Sequence, residues 1–402
     1  MSEFFIQIVL ILLSARLLGE LAACISIPAV IGELCAGVLL GPSLLGWVHS
    51  TETIHSLAEI GVVLLLFEIG LETNIANLMK VKTKAIFSAC MGVIVPFVLG
   101  FVLPYYVFHQ DLLLSLFIGG TLTATSIGVT LRVMSELKKQ QSYESQIVLG
   151  AAIIDDVIGI VILSILYEFS TTRVIDIFNI GKVLLFVVVF LLISPILVKS
   201  IASLIKYYNT KSAIPGLLPT MIVSLLLFFA WLAREFGAPE LIGGFAAGLA
   251  LSKSFSMPFF KFLKTDKRFS TRIEHTLKPI VHLFVPIFFV NIGLTLDLKE
   301  ISWGTSFIWI FSSAIFLAAI LGKLSAGFIL LKDSKWVKWA VGLAMIPRGE
   351  VGLVFADVGK SNGVFGQEIY ASITLVIAMT TLFGPLALRW FYKSKSHCKA
   401  HE

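Results

Sequence analysis

Apolar residues in this chain gather in long runs and not in two-residue alternation or narrow helical stripes. A bilayer core of ~30 Å takes about 20 mostly apolar residues per helix. Measured with that length, the sequence divides into 13 candidate spans. They fall near 4–20, 27–43, 54–72, 84–108, 112–137, 145–168, 180–206, 217–236, 240–252, 277–297, 306–331, 336–359 and 367–392. The second and ninth are short and rich in Gly and Pro. The first is read as a span and not as a signal peptide, because no basic stretch precedes it and Arg16 interrupts it. The pattern predicts an all-α polytopic membrane protein.

The distribution of basic residues supports this division. With the N-terminus outside, the connections on the cytoplasmic side carry 23 of the 31 Lys and Arg residues, and the other side carries 5. Seven of the 23 lie between Lys253 and Lys278, in the link from the ninth to the tenth span. The three left over, Arg16, Lys323 and Arg348, lie within spans. An outside N-terminus and a cytoplasmic C-terminus are therefore expected.

Composition agrees. Of the 402 residues, 57% are hydrophobic and 14% charged, and the mean hydropathy is +0.94. That charge density is about half that of a soluble domain, which would have to expose apolar patches that soluble monomers avoid. An ordinary cytosolic enzyme, a disordered chain and a disulfide scaffold are excluded. The net charge of +6 reads as basic loops facing anionic lipid and not as a nucleic-acid surface. Cys24, Cys35, Cys90 and Cys398 have no ligand or disulfide spacing, and His49, His55, His109, His275 and His282 have no metal spacing. No cofactor is expected.

The chain also repeats itself. IGELCAGVLL (31–40) and IGGFAAGLAL (242–251) share five of ten positions. Ile-Gly-Leu recurs at 69–71 and 292–294, and with the same offset of 223 Thr125 overlays Arg348. Spans one to six then return as eight to thirteen, with the seventh as link. An odd number of helices separates equivalent positions, so the second copy is inverted in the membrane. Inverted repeats mark secondary transporters with a midplane site.

An ionisable group at the bilayer centre costs at least ~2.5–3.5 kcal/mol, so each one needs a reason. The sixth span holds Asp155 and Asp156, the eleventh Lys323, and the twelfth Arg348 and Glu350, with Asp357 nearer its outer end. Glu33 and Glu68 lie in the second and third. Adjacent residues point about 100° apart on a helix, so the two aspartates have different surroundings. Lys323 is the candidate partner of one, which leaves a surplus carboxylate. Desolvation and an opposite charge act against each other on a carboxylate, so the surplus acid can alternate between a proton and a cation. A buried pair that only fixes packing would not need the second acid.

Two spans read as broken. Gly119 to Thr130 has paired glycines and five hydroxyls, a poor helix interior, and Pro347 and Gly349 flank Arg348. Broken helices at membrane depth are tolerated where they line a cavity. Arg348 is expected to neutralise the carbonyl end of a half-helix and to pair with an acid such as Glu350 or Glu68.

IPAVIGELCAGVLLGPSLLG, EIGVVLLLFEIGLET, the Asp155–Asp156 pair and IPRGEVGLV together resemble the monovalent cation:proton antiporters of the Nap/Kef type, over residues 10 to 390. The resemblance implies the sodium/proton antiporter fold: an inverted repeat with two broken helices that cross beside the ion site. It implies a homodimer with a dimerisation domain (1–72 and 217–297), a linker helix (180–206) and a moving core (84–168 and 306–392), followed by a short cytoplasmic tail (393–402). It further implies that Asp156 carries the ion, that Asp155 pairs with Lys323, and that Thr125 and Ser126 belong to the unwound stretch. Arg348 and Glu350 match its Arg-Gly-Glu motif. Transported Na+ would then be held by Asp156, Asp155 and Thr125. Kef-type potassium systems carry Gln-Asp and a long C-terminal domain, and this chain departs from both.

The expectation is an electrogenic Na+ or Li+/H+ antiporter, with membrane lipid and a second copy of itself as partners. Potassium/proton exchange on the same fold is the alternative. An intramembrane enzyme fares poorly, since GxGD and GxSG motifs are lacking and the two aspartates are neighbours on one helix. A channel or sensor would not need an inverted repeat with a titratable pair.

Overall fold

The computed structural model describes residues 2–172, 177–211, 216–253, 267–299 and 303–398. Within them the chain forms α1 (Ser2–Cys24), α2 (Ala29–Leu40), α3 (Glu52–Glu72), α4 (Ile75–Val102), α5 (Leu112–Thr123), α6 (Ile127–Glu136), α7 (Tyr143–Thr172) and α8 (Ile177–Lys211). There follow α9 (Leu217–Glu235), α10 (Glu240–Leu251), α11 (Lys267–Leu294), α12 (Ser306–Phe328), α13 (Lys335–Ala344), α14 (Glu350–Ser361) and α15 (Gln367–Cys398). A π-helical turn, Leu103–Val107, prolongs α4. The fold is all-α, and no strand occurs among the described residues. Much of the basic link, 254–266, and the tail from 399 lie outside them.

Ten helical stretches are long and apolar enough to cross a membrane, with two shorter apolar helices, α2 and α10, among the described residues. Length and composition alone therefore do not recover 13 full spans. The difference has a physical origin. At ~1.5 Å per residue, twelve-residue α2 and α10 reach about 18 Å, well short of a hydrocarbon core. The span expected at 336–359 folds as two pieces, α13 and α14. Both short helices start directly after a proline, Pro28 and Pro239, which favours an extended residue before it and suits a helix start.

Two compact units account for the contacts. One comprises Met1–Ser50, Val81–Ile177 and Phe289–Glu402, the other Thr51–Lys80 and Phe178–Phe288. In the second, α10 packs along α3 and α9. Gly248 permits that approach, since a Cβ there would overlap the Phe67 carbonyl. The first unit holds both broken helices. Its apolar centre includes Phe117, Ile118 and Leu122 of α5, Phe311 and Ile315 of α12, Phe355 of α14, and Ile373 and Val376 of α15. Helix α1 exposes Phe5, Val9, Leu13, Leu17 and Leu21, one continuous row at i, i+4 spacing, as a helix against lipid does.

The breaks follow from their sequences. Helix α5 ends at Thr123, and Ala124 and Ser126 are extended (ψ 137° and 102°) before α6 resumes. Between α13 and α14, Pro347 has no N–H to donate to a helical ladder. Gly349 lies so close to Ser126 that a Cβ would fall 2.6 Å from its Oγ. The two breaks are joined directly, Ser126 N–H donating to the Pro347 carbonyl at 2.8 Å. Thr130 Oγ1 of α6 also donates to the Ala344 carbonyl of α13 at 2.7 Å.

Candidate ion-binding site

A helix that stops inside a membrane leaves its last carbonyls without N–H partners, and they form the negative end of its dipole. Helix α5 ends this way. Arg348 Nη1 donates to the carbonyls of Thr121 (3.3 Å), Ala124 (3.0 Å) and Leu122. Lys323 Nζ donates to the carbonyl between them, that of Thr123. Four consecutive carbonyls of the first repeat thus meet two cations of the second. Both cations are fully buried, at 0% exposure. Arg348 is itself anchored through its carbonyl, which accepts from Thr381 Oγ1 of α15.

The carboxylates come from α7, which packs against α5. Lys323 Nζ donates to Asp155 Oδ2 at 3.0 Å, a fully buried ion pair. Asp155 Oδ1 makes no hydrogen bond. Asp156 is 4% exposed and lies within electrostatic reach of Lys323, as does Arg348. Thr125, in the extended stretch, is 2% exposed and its hydroxyl has no hydrogen-bond partner. Ser126 beside it is equally buried.

The structure therefore brings Asp155, Lys323, Arg348 and the carbonyl end of α5 together, with Asp156 on the next position of α7. The expected acid partner of Arg348 is not resolved in this way. Glu68 belongs to the other compact unit, and the side chain of Glu350, the first residue of α14, lies outside the described residues. What Arg348 holds is backbone. Arg348 was expected at the carbonyl end of a half-helix, as found, but sequence reasoning did not single out the carbonyls of 121–124 or the ties made by Thr130 and Thr381. Backbone acceptors leave no mark on residue identity, and both threonines resemble ordinary packing residues.

Chemically, two carboxylates and two cations surround one negative half-helix end. Oxygen atoms dominate: carboxylate, hydroxyl and carbonyl, the ligands of hard cations. These are the donor types that suit a proton or a small hard cation. Among the described residues, no three His, Cys, Asp or Glu side chains cluster as for a resident metal.

Residues 8–394 match the profile of a family described as "Sodium/hydrogen exchanger, transmembrane". Over its full length the chain is 32% identical to the high-affinity Na+/H+ antiporter NhaS3 of Synechocystis sp., covering 92% of that protein. It is likewise 32% identical to the Na+/H+-K+ antiporter GerN of Bacillus cereus, with 98% of this chain and 97% of that one aligned. Among solved structures, the sodium proton antiporter MjNhaP1 of Methanocaldococcus jannaschii superposes with a TM-score of 0.70 over 97% of each chain, at 17% identity. That last likeness is one of fold.

Proposed function

This chain belongs to the sodium/hydrogen exchanger family, and from that premise we propose that it exchanges Na+ or Li+ for protons by alternating access, with net movement of charge. It is a secondary transporter and not an enzyme. One observation carries the reading: two adjacent buried carboxylates share a single intramembrane ammonium, which is bonded to Asp155. Asp156 is then the group that alternates between a proton and the transported cation. Asp155 and the Thr125 hydroxyl supply further oxygens, with Ser126 beside them. Arg348, paired with Glu350 in this reading, holds the crossing region.

The stretches 84–168 and 306–392 form the moving core in this proposal, and both are drawn from one compact unit. Residues 1–72 and 217–297 supply the dimerisation domain of a homodimer, though 1–50 pack with the unit that contains the core. The basic connections face the cytoplasm of a bacterial-type inner membrane, so the N-terminus is outside and the C-terminus inside.

The experiment is solid-supported-membrane current from proteoliposomes given sodium, lithium and potassium pulses. Currents with sodium and lithium and none with potassium are expected. The name of GerN includes K+, and a current with potassium alone would make that cation the cargo. Silence with all three would overturn the proposal.

A further inference from the structure

The unit that holds the ion site buries a second group of charges, between α1, α2, α6 and α15. Glu33 of α2 is 2% exposed. Its Oε1 lies 3.8 Å from Arg132 Nη2 of α6, and its Oε2 makes no hydrogen bond. Arg132 is shared, because its Nε lies 3.5 Å from Glu136 Oε1, one turn along α6. Glu136 Oε2 accepts from the backbone N–H of Ala29, in the first turn of α2, at 3.0 Å. The charged groups facing Glu33 are Arg132 and Glu136 of α6 and Arg16 of α1. Arg389 of α15 joins Ala29, Arg132 and Glu136 around a half-open cavity of about 330 Å³. Side-chain exposure falls from Glu136 (21%) and Arg132 (19%) at that cavity to Glu33 (2%).

Packing does not require an acid at this position. The matching residue in the second copy of the repeat is Gly244, which lets α10 lie against the Val63 carbonyl. Opposite Glu33, α1 carries Gly19, where a Cβ would stand 3.7 Å from Glu33 Cγ, an ordinary packing distance. A buried carboxylate with one bare oxygen, an arginine 3.8 Å away that is shared with Glu136, and Arg16 as the other cation facing it is costly while charged. A bound proton removes that cost and lets Arg132 turn wholly to Glu136.

We propose that Glu33 is a proton-binding site separate from the transport site, reached from the cavity past Glu136 and Arg132, and that its ionised form holds α6 in the exchange-competent position. The lever is short. Arg132 is two residues beyond Thr130, whose hydroxyl ties α6 to the end of α13, and α6 begins immediately after Thr125 and Ser126. Protonation at Glu33 loosens the hold of α2 on that half-helix, so protons on the cavity side slow exchange before they compete at Asp156.

This inference rests on the antiporter reading. Its test is the pH profile of cation-induced proton flux, followed by dye dequenching in proteoliposomes. Wild type, Glu33→Gln, Glu33→Asp and Glu136→Gln are compared. Glu33→Gln should lower maximal exchange several-fold and make the acid limb shallower, because one titrating group is gone. Glu33→Asp should keep the wild-type shape. Glu136→Gln can still accept from Ala29 and leaves Arg132 to Glu33 alone, so its acid limb should move to lower pH by about one pH unit. That variant decides the matter should Glu33→Gln fail to insert. A Glu33→Gln limb of wild-type steepness and midpoint, or an unmoved limb in Glu136→Gln, would overturn the inference. Absence of flux in wild type would instead overturn the antiporter reading.

Discussion

Lys323 and Asp155 meet at 3.0 Å in a fully buried pair, and the same ammonium donates to the Thr123 carbonyl. One cation of the second repeat therefore joins a carboxylate of α7 to the open end of α5. Whatever changes the charge of either partner acts at once on the broken helix next to Thr125.

Replacing Lys323 with Gln keeps hydrogen-bonding capacity and removes the charge. Breaking a buried ion pair from one side costs about 3–5 kcal/mol, so the purified variant should unfold at a lower temperature than wild type. If the Lys323 proton takes part in the cycle, one cation exchanges for two protons in wild type, and the exchange remaining in Lys323→Gln should be closer to electroneutral. The response of each to an imposed potassium-valinomycin potential measures this. Equal responses would reduce Lys323 to a structural counter-ion, and a wild type indifferent to the potential would contradict electrogenic exchange.

Arg348 donates to three carbonyls from a fully buried position. Arg348→Gln should leave most of these acceptors unsatisfied, at about 1–3 kcal/mol for each group stranded. Arg348→Lys keeps the charge and loses the planar fork. Thermal unfolding of the purified variants should rank wild type above Arg348→Lys and Arg348→Lys above Arg348→Gln. Unchanged midpoints in both variants would contradict the capping role.

The parts of this arrangement were legible in the sequence to different degrees. Asp155, Asp156, Lys323 and Arg348 stand out because a charge inside an apolar run has no bland explanation. The break between α13 and α14 is visible in Pro347–Gly349, whereas Gly119 and Gly120 stay helical within α5 and the first break falls beyond them, at 124–126. That Arg348 meets the carbonyl end of a half-helix was legible, but which carbonyls it meets was not, because a carbonyl is the same in every residue and only the fold decides which ones lie open. Neither was the Glu33–Arg132–Glu136 group. Its members come from helices 100 residues apart in sequence, and Arg132 by itself reads as one more basic residue at a membrane edge. Length and composition single out ten of the 13 expected spans, because α2 and α10 are half-length and the span at 336–359 is split into α13 and α14.

Orientation can be tested on α11. Ser270 is buried, its hydroxyl donating to the Leu251 carbonyl, so the exposed His275 is the better reporter. In a background free of Cys24, Cys35, Cys90 and Cys398, His275→Cys should resist an impermeant maleimide in intact cells and react after permeabilisation. Labelling in intact cells would contradict the cytoplasmic assignment of the basic link.

The central claim is that Asp156 carries the ion, and its most direct test is Asp156→Asn in proteoliposomes. Asparagine keeps the size of the side chain and removes the group that exchanges a proton for a cation. Sodium-dependent proton flux should fall to the level of empty liposomes, while the variant inserts and unfolds as wild type does. Flux at the wild-type rate in Asp156→Asn would contradict the account.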